Sequence, residues 1–182
     1  MSDIGLFYGT TAGTTEVSAE AIQSTFDKFQ SGLVSLHNIG ESSLDDLYNY
    51  DQLIIGVPTY NIGELQDDWY MIYDDLAFLT LTGIQVALFG HGDQYGYPDT
   101  FQDALGILGR RFRDDCGAEL VGYTSTDGYD FAYSEGVEDG QFMGLAIDDD
   151  FQAHLTDGRI AAWVEQLIRE FQLADLPTSI SQ

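Results

Sequence analysis

Apolar residues recur along the chain in short runs whose spacing predicts buried β-strands. We predict strands at 4–8, 33–37, 53–57, 84–89 and 120–123, with 142–147 as a further candidate. The runs at 53–57 and 84–89 are almost continuously apolar. This is typical of strands that are covered on both faces in a parallel sheet.

Segments with the helical spacing of apolar residues lie between these strands. The clearest spans 160–171, for which Thr156 is the predicted N-cap, and 19–29 carries a second apolar face. Segments 64–79 and 100–116 fill the other gaps. Alternating strands and helices predict an α/β domain with a doubly wound sheet and right-handed crossovers.

One stretch interrupts this alternation. Residues 124–141 are rich in Gly, Asp and Tyr and predict a long excursion within or beside the last strand. No second domain is predicted. We expect one domain over residues 1–174, with residues 175–182 as a frayed tail.

The chain is strongly acidic. The 182 residues include 31 acidic and 6 basic side chains, for a formal charge of −25 at pH 7. Such a surface repels nucleic acid and anionic membranes and favours basic protein partners, although adaptation to high salt would give the same composition. Because no leader and no membrane-length apolar run are present, we expect a monomeric, cytoplasmic protein without membrane insertion. The single cysteine, Cys116, excludes an internal disulfide.

Three loops of unusual composition follow the first, third and fourth predicted strands. They are Gly- and Thr-rich 9–15, 58–64 and the aromatic, Gly-rich 90–97. In an open α/β sheet these loops emerge at the edge where ligands bind. Hydroxyls and a helix N-terminus suit a phosphate, and aromatic loops suit a planar ring attached to it.

The kind of phosphate can be narrowed by what each known loop requires. A triphosphate loop needs Gly-Lys-Ser/Thr, and a dinucleotide loop needs three glycines where only Gly9 and Gly13 are present. A receiver domain would carry paired aspartates after its first strand. The ligand that remains possible for this loop is a single monophosphate, held without a basic side chain. The alternative is that the loop binds no phosphate and Thr14 merely caps a helix.

The motifs resemble those of the flavodoxins over nearly the whole chain. TTAGTT (10–15) is similar to their FMN phosphate loop, and PTYNIGEL (58–65) and GDQYGY (92–97) are similar to their two flavin-flanking loops. The excursion at 124–141 resembles the insertion of the long-chain branch. The resemblance implies a five-stranded parallel sheet of order 2-1-3-4-5, with a long insertion in the last strand.

The resemblance also implies site residues. The phosphate would be bound by Thr10, Thr11, Ala12, Gly13, Thr14 and Thr15. Tyr97 would stack on one face of the flavin, and Tyr60 would cover the other. The backbone of Asn61, Ile62, Gly63 and Asp93 would meet the polar edge of the ring, in loops that also contain Pro58, His91 and Gly92. Thr59, Gln102 and Asp150 would lie near the ribityl chain or the rim of the ring.

Two positions depart from the family pattern. Tyr60 stands where tryptophan is usual, which reduces the stacking area. His91 stands where a small residue such as threonine is usual. Two interpretations of His91 remain open: a group that titrates beside the flavin, and a loop residue turned outward.

By resemblance, the protein is a low-potential one-electron carrier with non-covalent FMN, and neither an enzyme nor a metalloprotein. Its partners would be a reductase like ferredoxin–NADP reductase and an acceptor such as photosystem I or nitrogenase. The alternatives are an FMN-dependent NAD(P)H or quinone oxidoreductase on the same fold, and a binding module without redox activity.

Overall fold

A parallel sheet forms the centre of the computed structural model, which describes residues 3–173. Its strands are β1 (Ile4–Tyr8), β2 (Val34–Asn38), β3 (Gln52–Tyr60), β5 (Gln85–His91), β6 (Glu119–Val121) and β10 (Leu145–Ile147). Their order is β2-β1-β3-β5, and the outer edge of β5 pairs with β6 at its start and with β10 at its end. This confirms the predicted order, with the fifth strand divided in two.

In the described part of the chain, four α-helices cover the sheet, two on each face. α1 (Thr14–Phe29) and α4 (Ala153–Glu170) pack on one face, and α2 (Asp67–Leu76) and α3 (Asp103–Arg110) on the other. Successive strand residues point to opposite faces of the sheet. Ile54 therefore lies in the core under α1 and α4, whereas Leu53 and Ile55 lie in the core under α2 and α3. The shorter helical turns are Ile39–Glu41, Leu44–Asn49 and a π-helical turn, Arg111–Asp115, that extends α3.

The two tryptophans anchor helices to the sheet on opposite faces. Trp69 and Trp163 are almost fully buried, and their indole N–H groups donate to the carbonyls of Gly56 and Gly122. Cys116 is also buried, with its thiol donating to the Leu76 carbonyl at 3.1 Å.

The insertion between β6 and β10 has its own small sheet. β7 (Thr124–Ser125), β8 (Val137–Glu138) and β9 (Gln141–Phe142) pair antiparallel in the order β7-β9-β8. Arg110 of α3 bonds both the carbonyl and the carboxylate of Glu135, at 2.9 and 2.6 Å. Gly106 lets the insertion approach this closely, because a Cβ there would lie 1.9 Å from the Glu135 carbonyl oxygen. The insertion is therefore fixed against α3.

The predicted start of the last helix is wrong. Thr156 is not the N-cap of α4, which begins at Ala153 after Gln152. The Asp148 carboxylate accepts the backbone N–H groups of Asp150 and Phe151, and the Gln152 N–H bonds the Asp148 carbonyl. This turn starts the helix earlier, and Thr156 instead donates its hydroxyl to Asp149 at 2.6 Å.

The predicted frayed tail at 175–182 lies outside the described residues. Within residues 3–173, none of the helices combines the length and the apolar character that crossing a membrane requires.

Candidate functional site

A cavity of about 450 Å³ opens at the carboxyl edge of the sheet, where the three loops meet. The residues that line it are Thr10, Ala12, Thr14, Thr15, Pro58, Thr59, Tyr60, Asn61, His91, Gly92, Asp93, Tyr97, Asp149 and Asp150. The loops predicted from composition to share one edge therefore do so.

The conformation of the first loop is fixed by its own backbone and one hydrogen bond. Gly13 is the N-cap of α1 in the left-handed region, with φ 86°. Its N–H donates to the Thr10 hydroxyl at 2.9 Å, which closes the turn. The following backbone N–H groups open the helix and have no intrahelical acceptor, so they are available to an anion. Thr15 is buried on the cavity wall, 1% exposed.

Packing against α2 explains the glycine that starts this loop. A Cβ on Gly9 would lie 2.2 Å from the Gln66 side-chain oxygen and 2.6 Å from the Trp69 ring. Gln66 also donates to the Thr11 hydroxyl at 3.4 Å. Thr11 thus faces α2 and is not among the cavity-lining residues.

The second loop turns back on itself in a short hairpin that the apolar pattern did not reveal. β4 (Glu64–Leu65) pairs antiparallel with the end of β3, at Thr59 and Tyr60. Asn61 and Gly63 both have positive φ, 46° and 78°, and the Asn61 amide donates to Glu64 at 2.6 Å. The Thr59 hydroxyl accepts the N–H of Ala104, so the loop is also fixed to the start of α3.

The third loop is held from below by Gln94, which is completely buried. The Gln94 amide donates to the Asp148 carboxylate at 2.7 Å, and its oxygen accepts the Asp130 N–H at 2.6 Å. Asp93 closes the loop by accepting the N–H groups of Tyr95 and Gly96. These bonds join the loop that carries Tyr97 to the insertion and to the segment after β10.

His91 is the last residue of β5 and is buried, 8% exposed. It does not turn outward, so that interpretation is wrong. Its Nε2 lies 2.9 Å from the Ser18 hydroxyl on α1, and its Nδ1 lies 3.4 Å from an Asp149 carboxylate oxygen. Burial lowers the pKa of His91, and Asp149 opposes this shift.

Three carboxylates line the cavity beside His91. They belong to Asp93, Asp149 and Asp150. Burial raises the pKa of Asp150, and the neighbouring Asp93, Asp148 and Asp149 raise it further. The sequence reasoning missed Asp149, although its position directly after the last strand, next to Asp150, was an available signal.

Five of the residues singled out from the sequence lie outside the lining of the main cavity. They are Thr11, Gly13, Ile62, Gly63 and Gln102. Ile62 is 77% exposed at the rim. Gln102 is fully buried, and its amide donates to the carbonyls of Gly90 and Ile147, at the ends of β5 and β10. It thereby ties the ends of these strands together beneath the third loop.

The site can therefore accept a ligand with two unlike ends. Hydroxyls and free helix N–H groups suit an anionic end, and the phenol rings of Tyr60 and Tyr97 suit a planar end. No lysine or arginine of the described chain lines the cavity. The anionic end would be bound mainly by uncharged donors.

The chain is similar in sequence to proteins of one family over most of its length. The family described as Flavodoxin matches residues 6–163. The flavodoxin of Nostoc sp. is 51% identical over 170 residues, covering 93% of this chain and 98% of the relative. Flavodoxin 2 of Escherichia coli is 44% identical over 170 residues, covering 92% of this chain and 96% of the relative.

A solved structure agrees in fold. The crystal structure of Fusobacterium nucleatum flavodoxin bound to flavin mononucleotide superposes with a TM-score of 0.86 at 31% identity. The superposition covers 93% of this chain and 99% of that chain. On its sequence, its sheet order and the loops that form its cavity, the chain belongs to the flavodoxin family.

Proposed function

We propose that this chain carries single electrons on a non-covalently bound FMN held in the cavity at the carboxyl edge of the sheet. The observation that carries the proposal is that one cavity joins a hydroxyl and helix N–H cradle to two tyrosine rings. When bound, FMN supplies the redox chemistry. The protein supplies binding, orientation and the electrostatic environment.

The phosphate end fits the first loop. The backbone N–H groups of residues 10–12 and 14–15 and the hydroxyls of Thr10, Thr14 and Thr15 are the donors that we assign to the phosphate oxygens, whereas the Gly13 N–H bonds the Thr10 hydroxyl. A Cβ on Gly13 would meet no other atom within 4 Å, so glycine is required there by φ and not by space. Thr11 contributes its backbone, because its hydroxyl accepts from Gln66.

The ring end fits the second and third loops. We assign Tyr60 and Tyr97 to the two faces of the flavin, and the backbone of 61–63 and 92–93 to its polar edge. We assign Thr59 and Asp150, which line the cavity, to the ribityl chain or the rim of the ring. Gln102 acts through the strand ends that it ties together. Electron-rich phenol faces and three nearby carboxylates make added negative charge on the ring costly, which lowers its reduction potential.

The surface around the cavity indicates which kind of redox protein would bind there. Ile62, Tyr95 and Tyr97 are 77%, 52% and 48% exposed, and the exposed acids Glu64 and Asp67 lie nearby in sequence. An apolar centre within an acidic surround suits a basic docking face on a redox protein. We propose a ferredoxin–NADP reductase-like donor and photosystem I, nitrogenase or another low-potential acceptor, in the cytoplasm.

The test is an anaerobic reductive titration of the FMN-loaded protein. Dithionite should reduce the flavin in two separated one-electron steps, whereas NADPH should be oxidised only after a reductase is added. Free FMN, titrated in parallel, is the control. Rapid turnover of NADPH and quinone by the protein alone would assign it instead to the oxidoreductases.

A further inference from the structure

We propose that His91 is a proton-binding site linked to the occupant of the cavity, so that the protein takes up a proton at His91 when the FMN phosphate binds. The inference rests on FMN being the occupant. It goes further by assigning a function to the His91 side chain.

The position of His91 couples it to the phosphate end. Ser18, its 2.9 Å partner, lies four residues beyond Thr14 on α1, about 6 Å along the helix axis. On the other side of the ring, Nδ1 faces Asp149 at 3.4 Å. Among the described residues that line the cavity, His91 is the one whose side chain can become a cation.

Ser18 and Asp149 determine how the hydrogen bonds of the His91 ring change when it takes up a proton. Because a carboxylate only accepts hydrogen bonds, Asp149 favours the tautomer of neutral His91 that carries its hydrogen on Nδ1. In that tautomer Nε2 accepts from the Ser18 hydroxyl. When a proton from solvent binds Nε2, the Ser18 oxygen becomes the acceptor. The Ser18 hydroxyl keeps its own hydrogen, which turns away from His91. The imidazolium is paired with Asp149, and its charge adds to the attraction for a phosphate dianion.

Most of the other titratable groups on the elements around His91 are acidic. The segment after β10 presents Asp148, Asp149 and Asp150, and the loop after β5 presents Asp93. On α1, Glu16 and Glu20 are exposed, and Glu16 accepts from the Tyr8 phenol. On α4, His154 is exposed. In the empty protein, burial outweighs Asp149 and favours neutral His91, whereas two added phosphate charges favour the cation.

The direct test is an NMR titration of the histidine rings in the apoprotein, the FMN-loaded protein and the riboflavin-loaded protein. The His91 titration should move to higher pH with FMN but not with riboflavin, which lacks the phosphate. His37 serves as the internal reference, since it lies on β2, which is separated from β5 by β3 and β1. Unchanged His91 titration with FMN, or equal shifts at both histidines, would overturn the proposal.

Affinity gives a second readout. Since one proton is linked, FMN should bind more tightly as the pH falls through the His91 transition, by at most tenfold per pH unit. His91→Thr should remove this component, and the wild type minus variant difference cancels the titration of the phosphate itself. His91→Gln, which can still bond Ser18 but not take up the proton, should behave like His91→Thr. A pH slope equal to that of the wild type in both variants would contradict the proposal. Failure of the wild type to bind FMN at any pH would instead refute the proposed function.

Discussion

Thr15 is the most deeply buried of the threonines that line the cavity. Thr15→Val keeps its shape and removes one donor to the phosphate. Hydrogen bonds to charged groups contribute about 1.5–3 kcal/mol, so we predict that the FMN dissociation constant rises about 10- to 100-fold. The measurement is quenching of flavin fluorescence.

The matched control lies on the same helix. The Thr25 hydroxyl donates to the Ala21 carbonyl and lies outside the cavity. Thr25→Val should leave FMN affinity unchanged. Equal losses in the two variants would mean that the hydroxyl of Thr15 does not contact the phosphate.

At the same scale, His91 should affect the acid stability of the apoprotein. Burial lowers its pKa in the folded state, so below about pH 6.5 the unfolded chain binds more protons at this position than the folded chain. Its contribution to stability is therefore complete above that pH and falls as the pH drops towards the folded-state pKa.

Urea unfolding of the apoproteins at pH 7.5 and 5.5 measures this contribution. His91→Thr should lose less unfolding free energy between the two pH values than the wild type loses. An equal loss would show that His91 is not held neutral by the fold.

Gln94 connects three segments through one buried amide: the third loop, the insertion and the segment after β10. Gln94→Glu would place a carboxylate beside the buried Asp148, and it would keep the acceptor for the Asp130 N–H. We predict destabilisation by about 3 kcal/mol at pH 8, because one carboxylate must be buried without a donor. The effect should shrink at pH 5, since one of the pair can then hold a proton and donate it.

Gln141→Glu provides the control for added charge, because Gln141 is exposed on β9. Its unfolding free energy should stay within about 0.5 kcal/mol of the wild type at both pH values. If Gln94→Glu were equally mild, Gln94 would not be the support of the loop.

The elements themselves were largely predictable, because strands covered on both faces leave near-continuous apolar runs. Residues whose partners are distant in sequence were not. The burial of His91 depends on Ser18 and Asp149, which lie 73 and 58 positions away. Thr156 was assigned as a cap from local chemistry alone, but the Asp148 turn begins α4 earlier. The cavity edge was predictable from topology, whereas the side chains facing it required the packed structure.

For the whole molecule, the formal charge of −25 should act on the flavin through its summed field. One acidic group about 10 Å away costs the reduced ring roughly 0.4 kcal/mol in water, and many such groups add. Salt shortens the reach of each charge from about 30 Å at 0.01 M to about 3 Å at 1 M. The potential of the second one-electron reduction should therefore rise by roughly tens of millivolts over this range.

Spectroelectrochemistry of the FMN-loaded protein in NaCl measures that shift. Free FMN in the same salt series gives the reference. If the potential of the second reduction changed with ionic strength just as that of free FMN does, the protein's charge would not determine this potential.

The central claim is that one FMN binds in the cavity at the carboxyl edge of the sheet. Titration of the purified apoprotein with FMN, followed by flavin fluorescence, tests it most directly. We expect quenching that saturates at one FMN per chain and is weaker in Thr15→Val. Fluorescence that stays equal to that of free FMN throughout the titration would contradict it.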